Sequence, residues 1–368
     1  MKQFNSKKIL FAVLLLATGL YSCKKDNVAE EPQVEPVAGK YANGFFVIGE
    51  GSYAQNSGAV SFYHYGADTL SVRAYEKENP GKILSNAAKT STLQFASIIN
   101  GSIYLMCKVN GPIVKINEYT LKEEARYVQE ASNWRSIIQV DGSRGLVSAN
   151  DGVYQIDLNT LAVQNKLTSV GALNTGDMWK KDGYVYLLQS NGAKIVSSSN
   201  YSLVKSFSNI NRGFAQTPNG KVWASTGSRL IAIDNNLDTA GVALPVAVGS
   251  FGLDAPTRIT ASTKENAVFY HSGTAIYKYI DGNAASLSQP FITITESPFM
   301  VYGSIRYDKN KDYIVVNGIR GYGAASTVNY LLIYNASTGA LVKSIKYGGD
   351  GITTDFTKIF FNDLAVFH

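Results

Sequence analysis

The sequence predicts an all-β fold, a seven-bladed β-propeller with four antiparallel strands per blade, its ring closed by N- and C-terminal strands. Three observations carry that reading. Asn-Gly or Asp-Gly pairs recur at Asn100-Gly101, Asp141-Gly142, Asp182-Gly183 and Asn219-Gly220, with glycines 41, 41 and 37 residues apart. Such pairs favour two-residue hairpin turns, whose central residues need φ > 0. Each pair leads into a short apolar strand: SIYLMC, SRGLVSA, YVYLLQ and KVWAS. A period of roughly 40–46 residues with four short strands per unit is a propeller signature. Composition agrees, because 33 Gly, 23 Tyr and only 17% charged residues point away from long helices.

The elements follow in order. Weaker turn members stand at Asn43-Gly44, Asn266 and Asn310 to Asp312, each beside an apolar run. A further strand follows every unit, at 59–65, 112–119, 152–157, 193–198, 230–234, 275–280 and 330–334. Several continue into a turn and another strand, as in VYQIDLNTLAV and LLIYNASTGALV. A strand also precedes each central turn, as at 94–99 and 136–140. Residues 356–361 read as the first strand of a blade whose other strands begin at Gly44, which removes exposed strand edges. Residues 45–48 (FFVI) and 364–367 (LAVF) compete for the second place in that blade. Eight blades would need two strands beyond His368, and six would need an irregular insertion.

Ahead of the repeats stand three lysines within residues 1–8, an apolar run at 9–16, and Leu20-Tyr21-Ser22-Cys23. This is the order of a lipoprotein signal peptide, residues 1–22, with Cys23 as the lipidated residue. The apolar run is shorter than the about 20 residues of a membrane span. Residues 23–41 then form a flexible tether rich in acids, and residues 42–368 the propeller. Without Lys2, Lys7 and Lys8 the formal charge falls from +6 to +3. With no basic cluster remaining, nucleic acid is not an expected partner.

Metal and catalytic motifs are poor. Asp308-Lys309-Asn310-Lys311-Asp312 begins like a calcium loop, but Tyr313 stands where Gly is required. The segment reads as a polar turn, and neither metal nor cofactor is expected. Among three histidines, His64 lies in a strand, His368 is terminal, and His271 alone could serve acid–base chemistry. Cys107 reads as a buried thiol. Scattered carboxylates leave a spatially paired hydrolase site open.

Binding groups are more plentiful. In a propeller, loops joining strands two and three share a face with loops leading to the next blade. The first set holds Tyr53, Gln55, Asn56, Lys108, Asn110, Asn150, Asp151, Gln189, Asn191, His271, Arg320 and Tyr322. Its two longest members, 51–58 and 318–327, fit either a ligand clasp or a surface insertion. The second set holds Trp134, Arg135, Asp177, Trp179, Arg212, Arg258 and Tyr302, expected to aim at the channel mouth. Tyr, Trp and Arg are enriched at binding hot spots, although each also fits a structural role between blades.

The lipobox at Cys23, the acidic tether, the opening NGFFVIGEGSYAQNSGAVSFY and the repeat VYQIDLNTLAV resemble YncE-like propeller surface lipoproteins of Bacteroidota. That resemblance implies an outer-membrane lipoprotein, at the cell surface or facing the periplasm, held to the membrane by its lipid alone. It implies a non-enzymatic binding protein that captures a small-molecule nutrient or a protein partner for a TonB-dependent outer-membrane transporter. Relatives capture corrinoids or siderophores, but the usual Pro-Arg of such propellers stands here as Trp134-Arg135 and Thr257-Arg258, so no ligand carries over. Two alternatives remain open: a propeller enzyme (lyase, hydrolase or quinoprotein-like oxidoreductase) and a protein-interaction scaffold.

Overall fold

The computed structural model describes residues 39–51, 53–54, 57–129, 133–249, 253, 258–296, 300–321, 325, 327–348 and 357–361, with 300, 303–304 and the last five as backbone only. Chain order begins with β1 (Gly44–Gly49), β2 (Ala59–His64), β3 (Thr69–Ser71) and a one-turn helix α1 (Ala74–Glu78). Blade 2 is β4 (Thr92–Ile99), β5 (Ser102–Lys108), β6 (Ile113–Asn117) and β7 (Glu123–Tyr127). Blade 3 is β8 (Trp134–Asp141), β9 (Arg144–Ala149), β10 (Gly152–Asp157) and β11 (Val163–Lys166). Blade 4 is β12 (Thr175–Lys181), β13 (Tyr184–Gln189), β14 (Gly192–Ser197) and β15 (Leu203–Phe207). Blade 5 is β16 (Phe214–Gln216), β17 (Val222–Ser225), β18 (Arg229–Ile233) and β19 (Thr239–Ala243). Blade 6 is β20 (Ile259–Ala261), β21 (Ala267–Ser272), β22 (Ala275–Ile280) and β23 (Ile292–Thr293). Blade 7 is β24 (Met300–Asp308), β25 (Tyr313–Ile319), β26 (Val328–Asn335) and β27 (Leu341–Gly348), and β28 (Thr357–Phe361) ends the strand order.

Blade 1 has the order β28-β1-β2-β3, so the C-terminal strand is innermost and residues 45–48 take the second place. The competing segment 364–367 lies outside the described residues. The innermost strands β4, β8, β12, β16, β20, β24 and β28 touch one another in sequence, and β28 touches β4, which closes the ring.

Seven apolar clusters fill the seven seams between blades. Phe46 and Ile48 pack into the seam with blade 2, while Phe45 and Val47 pack into the seam with blade 7. Alternate residues of one strand therefore face two different cores. A strand buried on both faces reads as a continuous apolar run, which is why FFVI shows no polar alternation.

The foot of the ring repeats one turn chemistry. Between the third and fourth strands, Asn117, Asp157 and Asn335 each accept two backbone amides through Oδ1. Leu121 and Leu161 then adopt φ of 57° and 60°, and Gly339 takes the matching place at 75°. Positive φ is costly for a bulky residue. Here it directs Leu121 and Leu161 into the seams, where both are buried. The same turn is tied to the first hairpin by Glu118 N to Gly101 O at 2.9 Å, Leu158 N to Ser143 O at 2.8 Å and Ser198 N to Gly183 O at 2.8 Å.

The hairpins themselves depart from the expected symmetry. Asn100 and Gly101 are both at positive φ, whereas Gly142, Asp182 and Gly220 carry it without their pair-mates. Asn43-Gly44 makes no such turn, because the preceding strand arrives from the other end of the chain. Gly44 is needed for space: a Cβ there would lie 1.8 Å from the carbonyl oxygen of Tyr63.

Candidate functional site at the channel mouth

Opposite the foot, the innermost strands start and the second strands end, and here the ladders are irregular. In β4, two steps from Leu93 to Phe95 oppose one step from Cys107 to Met106. In β8, three steps from Trp134 to Ile137 oppose two from Ala149 to Val147. β12 repeats this between Thr175 and Met178, and β24 takes four steps against two between Val301 and Ile305. An extra residue bends a strand and re-aims its side chains. The residues inside these bulges include Gln94, Arg135, Asp177 and Tyr302. In blades 5 and 6 the innermost strand is only three residues long, and Arg212 and Arg258 stand just ahead of it.

The bulges are built, not frayed. Ser148 Oγ accepts the Ser136 amide at 2.9 Å and donates to the Gly176 carbonyl at 2.6 Å, linking the bulges of blades 3 and 4. Leu253, from the loop leading to blade 6, covers Gly176 so closely that a Cβ would meet its carbonyl oxygen at 2.9 Å. Asp177 Oδ1 accepts the amide of Met178 at 2.9 Å.

Glu50, just beyond β1, organises the side of the mouth nearest the closing blade. Its carboxylate accepts the Tyr302 hydroxyl at 2.8 Å and the side-chain amide of Gln94, and it faces Lys108 Nζ at 3.8 Å. Three blades thus meet on one buried carboxylate.

The opposite side is cationic. Arg258 is 2% exposed; Arg306, 7% exposed, stands lower in the channel, two residues before the foot end of β24. Burial pushes Arg258 down to about 9, and the charges of Arg306 and Arg212 push the same way. Burial holds Arg306 at about 10, and Asp177, from the far side of the channel, acts in opposition. Burial alone lowers half-buried Arg212. The Arg258 amide bonds the Arg212 carbonyl at 2.8 Å, which fixes the two side by side. His271, at the end of β21, is also sealed: burial first, then Arg258, lowers it to about 4. It is therefore neutral near pH 7.

The structure brings together Lys108, Arg135, Asp177, Arg212, Arg258, His271 and Tyr302 of the sequence candidates. The two tryptophans depart from expectation. Trp134 is buried in the seam of blades 2 and 3, its ring 6.3 Å from Tyr127 and 6.0 Å from Tyr154. Trp179 lies two residues past the bulge, packs into the seam of blades 4 and 5, and donates to Gln216 Oε1 at 3.4 Å. Both tryptophans thus belong to seams between blades. Arg320 is exposed, its amide held by Val328 O at 3.0 Å, and Tyr53 is 61% exposed. Asn56, Tyr322 and Cys23 lie outside the described residues.

Glu50, Gln94 and Arg306 were missed in the sequence. Gln94 and Arg306 are polar residues within buried strands, and Glu50 stands one residue beyond β1. Other expectations hold: Asp308 accepts the Tyr65 hydroxyl at 2.5 Å and the Asn310 amide at 2.9 Å in a polar turn. Cys107 is buried, and burial pushes its thiol up to about 12.

Residues 43–368 match the family described as Domain of unknown function (DUF5074). The chain belongs to that family. Among solved structures it is similar to a quinonprotein alcohol dehydrogenase-like protein from Bacteroides thetaiotaomicron VPI-5482, at 20% identity and a TM-score of 0.70, over 88% of this chain and 79% of that one. It is also similar to the computationally designed Ika8 protein (12% identity, TM-score 0.52, 86% and 93% covered). A third, dihydro-heme d1 dehydrogenase NirN in complex with DHE, has 12% identity and a TM-score of 0.51, over 85% and 67%. At these identities the likeness is one of fold. No curated protein sequence matches the chain.

Proposed function

We propose that this DUF5074 propeller is a YncE-like surface lipoprotein, anchored through Cys23, that binds a small molecule at the channel mouth without turnover. The ligand would be a nutrient passed to a TonB-dependent outer-membrane transporter. The observation that carries the reading is the run of bulges at the mouth ends of β4, β8, β12 and β24. Bulges concentrate beside functional sites, and these hold Gln94, Arg135, Asp177 and Tyr302 at the mouth ends of their strands. A mouth rimmed by amide, hydroxyl, carboxylate and guanidinium groups suits a polar ligand held by several directed hydrogen bonds.

The test is a thermal-shift screen of the full chain against vitamins, metal chelates, sugars and peptides, because a bound ligand raises apparent stability. A hit is expected to bind saturably, to be recovered unchanged, and to lose about ten-fold in affinity in Arg135→Ala. Incorporation of labelled palmitate, lost in Cys23→Ala, is expected alongside. Consumption of the ligand, or binding indifferent to Arg135→Ala, overturns the reading.

A further inference from the structure

We infer that Asn100, at the tip of the β4–β5 hairpin, is a self-modification site of the folded chain, where the side-chain amide is lost and the backbone is rerouted as isoaspartate. No residue of the mouth takes part, so the site is independent of what binds there.

The chemistry needs an Asn followed by a residue whose backbone nitrogen can reach the Asn side chain. In an Asn-Gly pair the Gly nitrogen, deprotonated by hydroxide, attacks Cγ of the Asn. A C–N bond forms, Nδ2 leaves as ammonia, and a five-membered succinimide results. Water then opens the ring at one of its two carbonyls. Opening at Cγ gives Asp. Opening at the main-chain carbonyl gives isoaspartate, in which the chain runs through Cγ. One water is consumed, one ammonia is released, and nothing is oxidised or reduced. Nucleophile and electrophile belong to neighbouring residues, so the rate depends on whether the fold lets them meet. Gly favours the meeting, because no Cβ shields its nitrogen or restricts its rotation.

The sequence holds six Asn-Gly pairs, beginning at Asn43, Asn100, Asn110, Asn191, Asn219 and Asn317. The fold restrains five of them. Asn317 is wholly buried within β25. Asn219 is held at both ends of its amide: Oδ1 accepts the Thr217 hydroxyl at 2.7 Å and Nδ2 donates to Asp281 at 2.9 Å. The Gly220 nitrogen is also engaged, donating to Thr217 O at 2.9 Å. The other three glycines sit where the backbone has no room to swing. A Cβ would lie 1.8 Å from Tyr63 O at Gly44, 2.5 Å from Cys107 Cβ at Gly111 and 1.9 Å from Phe207 O at Gly192.

Asn100 escapes each of these restraints. It is exposed, and among the described residues its side chain makes no hydrogen bond or ion pair. Apart from its chain neighbours, the atom nearest to a Cβ placed on Gly101 is Tyr119 Cε2, at 3.9 Å. Asn100 and Gly101 carry φ of 51° and 77°, as a two-residue hairpin turn requires. Such a turn has no place for a longer backbone. Isoaspartate inserts one main-chain atom between Ile99 and Ser102 and adds a carboxylate. It thereby displaces the Gly101 carbonyl from the Glu118 amide, which it now accepts at 2.9 Å. The foot of blade 2 is loosened, while the mouth residues keep their chemistry.

The experiment ages the full chain at mildly alkaline pH and follows isoaspartate by peptide mapping, with methyl labelling by an isoaspartate methyltransferase as the second readout. In the folded chain the Asn100 peptide is expected to gain isoaspartate about ten-fold faster than a peptide with any other Asn-Gly pair, a barrier difference of about 1.4 kcal/mol. In urea, where the other five pairs lose their restraints, the six rates are expected to converge. Asn100→Gly keeps a residue suited to positive φ and lacks the amide, so it is expected to fold and to lose the early labelling. Aged wild type is expected to melt below the fresh chain, whereas aged Asn100→Gly holds its melting temperature. Isoaspartate arising first at another pair, an undiminished lead for Asn100 in urea, or no isoaspartate in the folded chain overturns the site.

Discussion

His271 is a sealed imidazole beside a guanidinium, and its position has a thermodynamic consequence. The native ring titrates near 4 and the unfolded ring near its ordinary 6.5. Below pH 6.5 the unfolded chain takes up a proton that the native chain refuses. Stability is therefore fully present above pH 6.5 and falls as pH drops toward 4, by roughly 3 kcal/mol at most. Urea unfolding at pH 7 and pH 4.5 is expected to show a smaller loss in His271→Gln than in wild type, by about 2 kcal/mol. Equal losses would mean that the ring is reached by water. The residue scale is also where the sequence reading was weakest. Tyr302, Arg135 and Arg258 could be named because Tyr and Arg stand out at the start of a strand. Glu50 and Gln94 could not, because their partners lie 252 and 44 residues away in the chain.

At the scale of the element, the bulges decide what the mouth presents. Ser148 ties the amide of Ser136 to the carbonyl of Gly176. Ser148→Ala is expected to cost about 1–2 kcal/mol, because it leaves two buried backbone groups unpaired. The amide of Ser136 should then exchange faster with solvent, while that of Leu121 at the foot keeps its protection. Unaltered exchange at Ser136 would show that the bulge stands without the serine. Strand positions were legible because both faces are buried and the apolar runs are unbroken. The bulges were not, since one added residue changes parity without changing composition. Hence Trp134 and Arg135, adjacent in sequence, were read as one group and face different surroundings.

At the scale of the molecule, β28 supplies the innermost strand of a blade begun some 300 residues earlier, and seals the edge of β1 along Phe45 to Gly49. Deleting residues from Thr357 onward is expected to cost more than about 4 kcal/mol, because it opens the cores on both sides of blade 1. The exposed edge of β1 should then pair with other chains, giving larger species in light scattering. A monomer with an unchanged melting temperature would mean that the ring holds without its last strand. Blade number was readable by counting the strands that follow each unit, and closure from the strand-like run at 356–361. The winner between FFVI and LAVF was not, because the two segments are equally apolar and pairing alone separates them.

The turn at the foot has a consequence for how this protein changes over time. Asn117 or Asp157, its two capped amides and the left-handed leucine that follows all lie within five residues. Blades 2 and 3 thus shape their lower ends from five consecutive residues each, and the leucine that closes each turn packs into a seam with a neighbouring blade. The mouth, in contrast, is assembled from residues of different blades and contributes little to forming any one of them. Mutation can therefore redraw the mouth while the foot keeps the architecture in place. A shared ring at 20% identity is the outcome that this division of labour produces. Fold and mouth chemistry thus sit on different ends of the same strands.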